Sequence, residues 1–362
     1  MPLPLSFFLS ASCIVTVTTL DKTSDTSVYN CRYEDIPLDI NYSDDFEYSD
    51  EFLSARGNAP LYTTDQGGAF EVAEIDGNKV LMQMINADNK PTDWRLRGTP
   101  NPITSLGDDR WANYSAEISF KLESDKSDNY VSFGVRYLTA ELDSWSAENG
   151  YSLRAYPSGY FELKKNTEAV QKGNIDNFDA SKWHTIKITA AGKHIAAQLD
   201  GAELASFDDE MGYAHSGRIS IGSGLYNNIF DNLKIYPVDG CKPIITRVDD
   251  HDPSVIYNGN WDRKVPDDYI HFNRTRSKAE ISEEDTGEKS MEFSFEGDHF
   301  ALIGKIMECG FDVYVDGELL EAVETKGVKA RQCFYSADVP EGSHDVKIVV
   351  TSGRFAVDVI EY

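Results

Sequence analysis

Apolar and polar residues alternate along most of this chain with a period of two residues. Strict alternation runs through residues 116–122, 131–137 and 183–188. This period predicts strands that turn one face to a core and the other face to solvent. Asp-Gly pairs beginning at Asp76, Asp200 and Asp316 separate alternating runs and supply the positive φ angles of tight hairpin turns. Because helical periodicity is nearly absent, the pattern predicts an all-β protein built from sandwiches.

Breaks in this pattern divide the chain into three parts. Residues 1–34 hold two or three strands, too few for a core, so we expect them to be remnant strands of an incomplete upstream β-sandwich. Residues 35–238 have the size of one sandwich. A junction containing Pro and Gly at 237–243 leads into residues 239–362, which we expect to form another.

The charge of the chain narrows its possible partners. The 362 residues include 61 acidic and 34 basic side chains, a net charge of −27. Such a field repels phosphate backbones and anionic lipids, so we predict no nucleic-acid partner. It is compatible with neutral sugars and cations. No apolar run approaches the ~18 residues of a transmembrane helix, and the apolar N-terminal stretch lacks a basic start, so neither a membrane span nor a signal peptide is predicted.

Neither the cysteines nor the short sequence motifs of this chain indicate a catalytic site. Five cysteines are widely spaced, and no Cys-x-x-Cys occurs, so no zinc or thioredoxin-type site is indicated. Cys309 and Cys333 could pair or remain as buried free thiols, and the sequence leaves both open. No motif of a metalloprotease, serine hydrolase or nucleotide-binding protein is present. We therefore predict no catalytic residue.

Two acidic motifs, far apart in sequence, bracket the run of strands in residues 35–238. Asp45 and Glu47 are two residues apart, so both side chains would share one face of a strand, with Phe46 pointing into the core. Asp231 follows Phe230 in the last strand. If the first and last strands are neighbours, three carboxylates converge on a site for a hard cation such as calcium. The alternative is an acidic strand edge that prevents edge-to-edge pairing.

A series of motifs in residues 5–238 resembles one enzyme family. Besides Phe8–Thr19, the motifs in order are Tyr42–Phe46, Ala59–Pro60, Asp65–Glu71, Gln83–Asn86, Trp94, Ile103–Asp108 with Trp111, Lys182–Thr185 and Phe230–Asn232. Together they resemble the part of galactocerebrosidases (glycoside hydrolase family 59) that follows the catalytic barrel.

The resemblance implies a concanavalin-like, lectin-like jelly roll with one structural calcium. The implied ligands are Asp45, Glu47, the Lys79 backbone carbonyl and Asp231, although the family commonly has Asn at the position of Glu47. The catalytic carboxylates of the family lie on a (β/α)8 barrel that would precede residue 1. We therefore expect this polypeptide to be the C-terminal, non-catalytic part of a longer enzyme.

Residues 244–362 resemble a galactose-binding-like jelly roll appended to secreted bacterial glycosidases. The motifs are 255–261, 311–317 and 339–346. Aromatic side chains can stack on sugars, and the candidates, each with core burial as the alternative, are Trp145, Tyr151, Tyr257, Trp261 and Tyr269.

Three functions follow from these resemblances. The chain is expected to be a carbohydrate-binding accessory region of a galactocerebrosidase-like β-galactosidase, beside its upstream catalytic barrel. It would be extracellular or at the cell surface through the signal of the parent protein. The alternatives are a stand-alone lectin-like protein and a structural spacer.

Overall fold

The computed structural model describes residues 38–66, 68–88, 102–138, 150–210, 212, 214–263, 271–284, 287–304, 306–328 and 332–362. The predicted remnant strands of residues 1–34 lie outside these ranges. Within the described ranges, no helix is long and apolar enough to span a membrane.

The described residues of the first part of the chain form two antiparallel sheets and one short helix. In chain order the strands are β1 (Tyr42–Asp44), β2 (Thr64–Gln66), β3 (Phe70–Ile75), β4 (Asn78–Gln83), β5 (Ile103–Leu106), β6 (Tyr114–Lys121), β7 (Val131–Tyr137), β8 (Tyr151–Ala155), β9 (Tyr160–Lys165), β10 (Glu168–Asn174), β11 (His184–Ala191), β12 (His194–Leu199), β13 (Ala202–Asp208), β14 (Arg218–Ser223) and β15 (Ile229–Pro237). The first sheet has the order β13-β12-β11-β6-β15-β4-β3, with β1 on β15. The second has the order β10-β9-β8-β7-β14-β5-β2. This is the all-β fold that the alternation predicted.

The first and last strands of this unit are neighbours, as the acidic motifs suggested. β1 pairs with β15 in antiparallel register, with Tyr42 opposite Ile235 and Asp44 opposite Leu233. The helix α1 (Asp50–Arg56) follows β1. The Ser49 side chain caps its N-terminus, and Gly57 ends it in the left-handed conformation, which glycine adopts without steric cost.

The Asp-Gly pairs form the predicted hairpin turns. Asp76, Asp200 and Asp316 have φ angles of 53°, 49° and 53°, and the glycines after them have φ angles of 81°, 81° and 83°. Positive φ at both central residues is the type I′ signature. The turns join β3 to β4, β12 to β13, and the strand Cys309–Val315 to the strand Glu318–Thr325.

One core lies between the first two sheets and includes Phe120, Phe133, Leu153, Ile188 and Ile221. The prediction that alternating strands face solvent on one side is wrong for β7, since all seven of its residues are buried. β7 lies in the middle of its sheet, between β8 and β14, and its outer positions are small or are held in polar contacts.

The second part of the chain forms a third antiparallel sheet. Its strands are β16 (Arg247–Asp249), β17 (Ile256–Asn258), β18 (Ser277–Ile281), β19 (Lys289–Gly304), β20 (Cys309–Val315), β21 (Glu318–Thr325), β22 (Gln332–Val357) and β23 (Val359–Glu361), with a 3-10 turn at Phe272–Arg274. The order is β16-β23-β19-β22-β20-β21, with β17 on β19 and β18 on β22. A separate core, which includes Phe293, Phe311 and Phe355, packs against this sheet. Cys309 and Cys333 are buried here as free thiols.

Specific contacts join the two units. Ala112 N donates to Pro243 O (2.8 Å), and Ile245 N donates to Arg110 O (3.0 Å). Ser216 Oγ donates to the buried Glu361 carboxylate at 2.9 Å.

A histidine pair also crosses this junction. The His215 and His299 rings stack at 5.0 Å between centroids. His215 Nδ1 lies 3.1 Å from His299 Nε2.

Candidate functional site

The predicted calcium residues lie at the edge where β1 meets β15. Asp45 and Glu47 follow β1 in a turn, and both are exposed, whereas Asp231 on β15 is buried. Phe46 has a φ of 57° and its side chain is buried in the core, as predicted. Glu47 Oε1 accepts a hydrogen bond from Lys79 N at 2.9 Å, so the turn lies against the start of β4.

The charges at this edge act on Asp231. Burial raises the pKa of the Asp231 carboxyl, and the negative charges of Asp45 and Glu47 raise it further, against hydrogen bonds from Asn78 and Asn232 that lower it. The predicted metal ligands at this edge are carboxylate and carbonyl oxygens, which suit a hard cation. In the described ranges, no three His, Cys, Asp or Glu side chains form a group that could hold a metal ion, and Asp45 and Glu47 are exposed.

A neighbouring acid that the sequence did not single out holds the turn together. Asp44 is buried, and its Oδ1 accepts from Phe46 N at 2.8 Å. Its Oδ2 accepts from the hydroxyl groups of Tyr42 (2.8 Å) and Tyr48. Asp44 therefore stabilises the turn, while Asp45 and Glu47 remain on the surface.

The predicted sugar-stacking residues lie in different environments. Trp145 and Tyr269 are outside the described residues. Tyr151 is 1% exposed, donates to Asp209 Oδ2 at 2.8 Å and packs in the core. Tyr151 therefore has the core position that was the alternative to sugar binding, and its ring is not exposed for stacking.

Tyr257 and Trp261 form a half-buried pair at the side of the second core. Their rings meet edge to face at 4.8 Å, and the Trp261 ring also contacts Phe355. Trp261 Nε1 donates to Asn258 O at 3.0 Å. Arg263 lies over the Tyr257 ring at 4.5 Å. Since both rings pack against the core, only part of each is available to a ligand.

A further group of aromatic and charged residues lies on the second sheet, on the face turned away from the core, and some of its side chains are partly or fully exposed. We call this the outer face. In an antiparallel sheet, residues opposite each other on neighbouring strands share a face, so the register groups the outer-face residues into rows. The tyrosine row consists of Tyr130, Tyr156 and Tyr160. The charged row consists of Gly222, Ser132, Arg154, Glu162 and Lys172. The serine row consists of Ser105, Ser220, Gly134, Ser152 and Lys164.

The tyrosine row presents adjoining aromatic rings. Tyr130 and Tyr156 lie 5.9 Å apart between ring centroids, and Tyr156 and Tyr160 lie 5.5 Å apart. Tyr156 and Tyr160 are partly exposed. The Tyr156–Tyr160 turn closes through Tyr156 N to Tyr160 O at 3.0 Å, which fixes the two rings side by side.

The charged row lies directly beside these rings. Glu162 accepts the Tyr156 hydroxyl at Oε2 (3.2 Å) and the Tyr160 hydroxyl at Oε1 (3.3 Å). The Arg154 guanidinium lies 4.0 Å from the Tyr130 ring centroid. Burial and the Glu162 carboxylate raise the pKa of Tyr156, against Arg154, which lowers it. Desolvation and Glu162 likewise raise the pKa of Tyr160. Both phenols therefore stay protonated, and each donates its hydroxyl hydrogen to Glu162.

The serine row forms a floor of small side chains. Ser105 and Ser152 are buried, and neither hydroxyl oxygen has a hydrogen-bond partner among the described residues. A buried hydroxyl without a partner costs free energy. A Cβ on Gly134 would lie 2.5 Å from Ser220 Oγ, so this position admits only glycine without rearrangement.

The sequence did contain a signal for the outer-face site. Arg154, Tyr156, Tyr160 and Glu162 occupy alternate positions on either side of a Pro-Ser-Gly turn, which places them on one face of a hairpin. Tyr130 is too distant in sequence to be assigned without knowledge of the β7–β8 register.

Known proteins resemble parts of this chain. A curated relative from Flavonifractor plautii, an A type blood alpha-D-galactosamine galactosaminidase, is 33% identical over 122 residues, covering 32% of this chain. This chain spans about a tenth of the length of that relative, 11%.

Two solved structures are similar to part of the chain. The carbohydrate binding module CBM66 from Bacillus subtilis is 14% identical, covering 48% of this chain and 94% of that chain, with a TM-score of 0.35. A glycoside hydrolase family 16 endo-glucanase from Bacteroides ovatus is 12% identical, covering 54% of this chain and 99% of that chain, with a TM-score of 0.37.

A family model covers most of the first unit. The model for the galactocerebrosidase C-terminal lectin domain matches residues 65–238, which contain β3 to β15 and the whole outer-face site. The match confirms the resemblance that the motifs indicated. Residues 65–238 of this chain thus match the C-terminal lectin domain family of galactocerebrosidases.

Proposed function

We propose that this chain is a non-catalytic carbohydrate-binding part of a galactocerebrosidase-like glycosidase, and that sugars bind at the outer face of the second sheet. The observation that carries the proposal is the tyrosine row beside the Arg154–Glu162 pair. The lectin-domain match over residues 65–238 supports the same class of ligand. The catalytic carboxylates would come from an upstream barrel of the parent enzyme, which would act outside the cell or at its surface.

The chemistry of the outer face suits a sugar ring. The apolar C–H face of a sugar can pack on a phenol ring, as aromatic side chains do with other apolar groups. The equatorial hydroxyls are donors and acceptors, and they would meet the Glu162 carboxylate, the Arg154 guanidinium and the two phenol hydroxyls. Hydrogen bonds to charged groups are stronger than those between neutral groups. The rings would therefore supply contact area, and the charged row would supply specificity.

A binding measurement tests this site. We expect the purified chain to bind an oligosaccharide carrying terminal galactose in calorimetry or on a glycan array. Tyr156→Ala should weaken binding at least about tenfold, since it removes an aromatic platform worth about 1 kcal/mol or more together with a hydroxyl donor.

The matched control is Trp183→Ala, because Trp183 is 42% exposed and precedes β11 of the first sheet. That variant should bind as the wild type does. If Tyr156→Ala binds the sugar as tightly as the wild type, the outer-face site is wrong. If the folded wild-type chain binds no glycan on a broad array, carbohydrate binding is wrong and the spacer function takes its place.

We also propose a structural calcium ion held by Asp45, Glu47, Asp231 and the Lys79 carbonyl. Three observations support it: the antiparallel pairing of β1 with β15, the burial of Asp231, and the Glu47 hydrogen bond to Lys79 N. Bound calcium would neutralise carboxylates that repel one another and would tie the turn after β1 to β15 and β4.

Thermal unfolding tests the calcium site. Excess calcium should raise the Tm of the wild-type protein relative to a sample with chelator, because a ligand that binds only the folded state stabilises it. Asp231→Asn should abolish this difference. Asp239→Asn, at an exposed acid just after β15, should retain it. Equal Tm values for the wild type with calcium and with chelator contradict the proposal.

A further inference from the structure

Each unit of the described chain has its own apolar core. Phe120 and Ile188 belong to the first cluster, Phe293 and Phe311 belong to the second, and the two clusters share no described residue. Hydrogen bonds and a stacked ring pair cross the junction between them. Domains move relative to each other unless a large apolar interface joins them. The closed arrangement of the two units therefore depends on these polar contacts.

The histidine pair is the junction contact that titrates near neutral pH. His299 Nδ1 lies 2.7 Å from Asp338 Oδ1, and because an ionised carboxylate only accepts, Nδ1 carries a hydrogen. In the neutral ring, His299 Nε2 is then an acceptor, and His215 Nδ1 donates to it at 3.1 Å. In the neutral pair, His215 Nε2 therefore carries no hydrogen.

A further proton on the pair creates a buried donor. Wherever this proton binds, one hydrogen still lies between the two facing nitrogens and one on His299 Nδ1, so His215 Nε2 must carry the third. This nitrogen is buried, with no hydrogen-bond partner in the described chain, and a Cβ added to Gly212 would lie 2.3 Å from it. A buried donor without an acceptor costs free energy that contact with water recovers. Protonation of the pair therefore favours an arrangement in which water reaches His215.

The charges around the pair have mixed signs. Burial, His299 and Arg136 lower the pKa of His215, whereas Asp209 and the Gly212 backbone raise it, and the resulting pKa is about 3. While the junction is closed, His215 therefore stays neutral at pH 5. The charged groups that surround the pair and its partners on both units are Arg136, Lys193, Asp209, Asp338 and Glu361.

We propose that the junction is a hinge opened by acid, in which uptake of a proton by the histidine pair lets the two units move apart while each keeps its own core. In the open form water reaches His215, and its pKa returns towards the ordinary value of 6.5. The open form is therefore favoured as the pH falls through 6.5. Between pH 7 and pH 5 the equilibrium constant for opening should rise about 25-fold. Opening frees the angle between the outer face of the second sheet and the second unit.

Hydrogen exchange of the full chain measures this opening directly. Ala112 N and Ile245 N donate the two backbone hydrogen bonds that cross the junction, and Ile188 on the inner strand β11 reports on the core of the first unit. Protection is expressed relative to the exchange rate of the unfolded chain at each pH. The protection of Ala112 and Ile245 should fall about 25-fold between pH 7 and pH 5. At pH 5 it should also lie below that of Ile188, because the junction opens without unfolding the core.

Variants assign the effect to the histidine pair. His215→Phe keeps the stacked ring and cannot be protonated, so the protection of the junction amides should change by less than about twofold between the two pH values. His299→Gln, which keeps a polar side chain beside Asp338, provides a second variant if His215→Phe does not fold. The matched control is His194→Gln, since His194 pairs with Asp208 inside the first unit, and it should behave as the wild type does.

Three results would overturn the hinge. Equal protection of the junction amides and Ile188 at both pH values would show that the units open only by unfolding together. Unchanged protection of Ala112 and Ile245 at pH 5 would show that acid does not open the junction. A fall of about 25-fold that persists in His215→Phe or His299→Gln would show that another group is responsible.

Discussion

His215 is expected to make the folded protein sensitive to acid. Its ring lies at the junction of the two units, stacked on His299, and its buried Nε2 has no hydrogen-bond partner in the described part of the chain. Burial, with the charges of His299 and Arg136, lowers the pKa of His215 from 6.5 to about 3, while Asp209 acts in the opposite direction. Asp338 also faces this pair, through a 2.7 Å contact with His299 Nδ1.

The sign and size of the effect follow from linkage. His215 stays neutral in the folded protein across the range from pH 7 to pH 5, whereas in the unfolded chain it becomes protonated below its unfolded pKa of 6.5. Stability is therefore lost as the pH falls through 6.5, at about 1.4 kcal/mol per pH unit below that value. Between pH 7 and pH 5 the free energy of unfolding should decrease by about 2 kcal/mol from this residue alone.

Chemical denaturation at pH 7 and pH 5 measures the effect. Other groups titrate in the same range, so the informative quantity is the difference between the wild type and His215→Phe, which keeps an aromatic ring and removes the titratable nitrogens. The wild type should lose about 2 kcal/mol more than the variant between the two pH values. An equal change in both proteins would refute the assignment of a buried neutral His215.

Three further predictions concern stability, measured by denaturant unfolding. Burial raises the pKa of Asp250 to about 7, so this group increases the free energy of unfolding by about 2–3 kcal/mol as the pH falls from 8 to 5. Asp250→Asn should remove this increase, and an unchanged pH dependence in the variant would contradict the prediction. Gly107→Ala should lower the free energy of unfolding by about 3 kcal/mol or more. Residue 107 has a φ of 119°, and the added Cβ would lie 2.4 Å from the buried Trp111 ring. Gly57→Ala, with nothing within 4 Å, should cost only about 1 kcal/mol, and equal losses in the two variants would refute the steric argument. Asp44→Ala should lower the free energy of unfolding by about 3 kcal/mol, because the Tyr42 hydroxyl, the Tyr48 hydroxyl and Phe46 N lose their acceptor. A loss below about 1 kcal/mol would show that water replaces the carboxylate.

The local parts of this fold were predictable from sequence. The Asp-Gly turns depend on two adjacent residues, and each predicted turn forms a type I′ hairpin. The pairing of β1 with β15 entered the sequence argument only as the condition under which the acidic motifs would converge, and the structure contains this pairing.

The roles of individual side chains were less accessible. Asp44 and Asp45 are identical residues in adjacent positions, yet Asp44 is buried and Asp45 is exposed. Tyr151 and Tyr156 are both tyrosines near strand β8, yet one lies inside the core and the other on the outer face. Their environments depend on register and on contacts with distant residues such as Asp209, which no local pattern encodes.

The adjacency of β1 and β15 has a consequence for how this unit can be combined with others. Since Tyr42 lies opposite Ile235, the chain enters and leaves the sandwich at the same edge. A module with adjacent ends can be inserted into a loop of another protein without forcing that loop apart, and its ends can be joined to make a circular permutant. The positions of its two ends therefore suit the sandwich to insertion into a loop of a host protein.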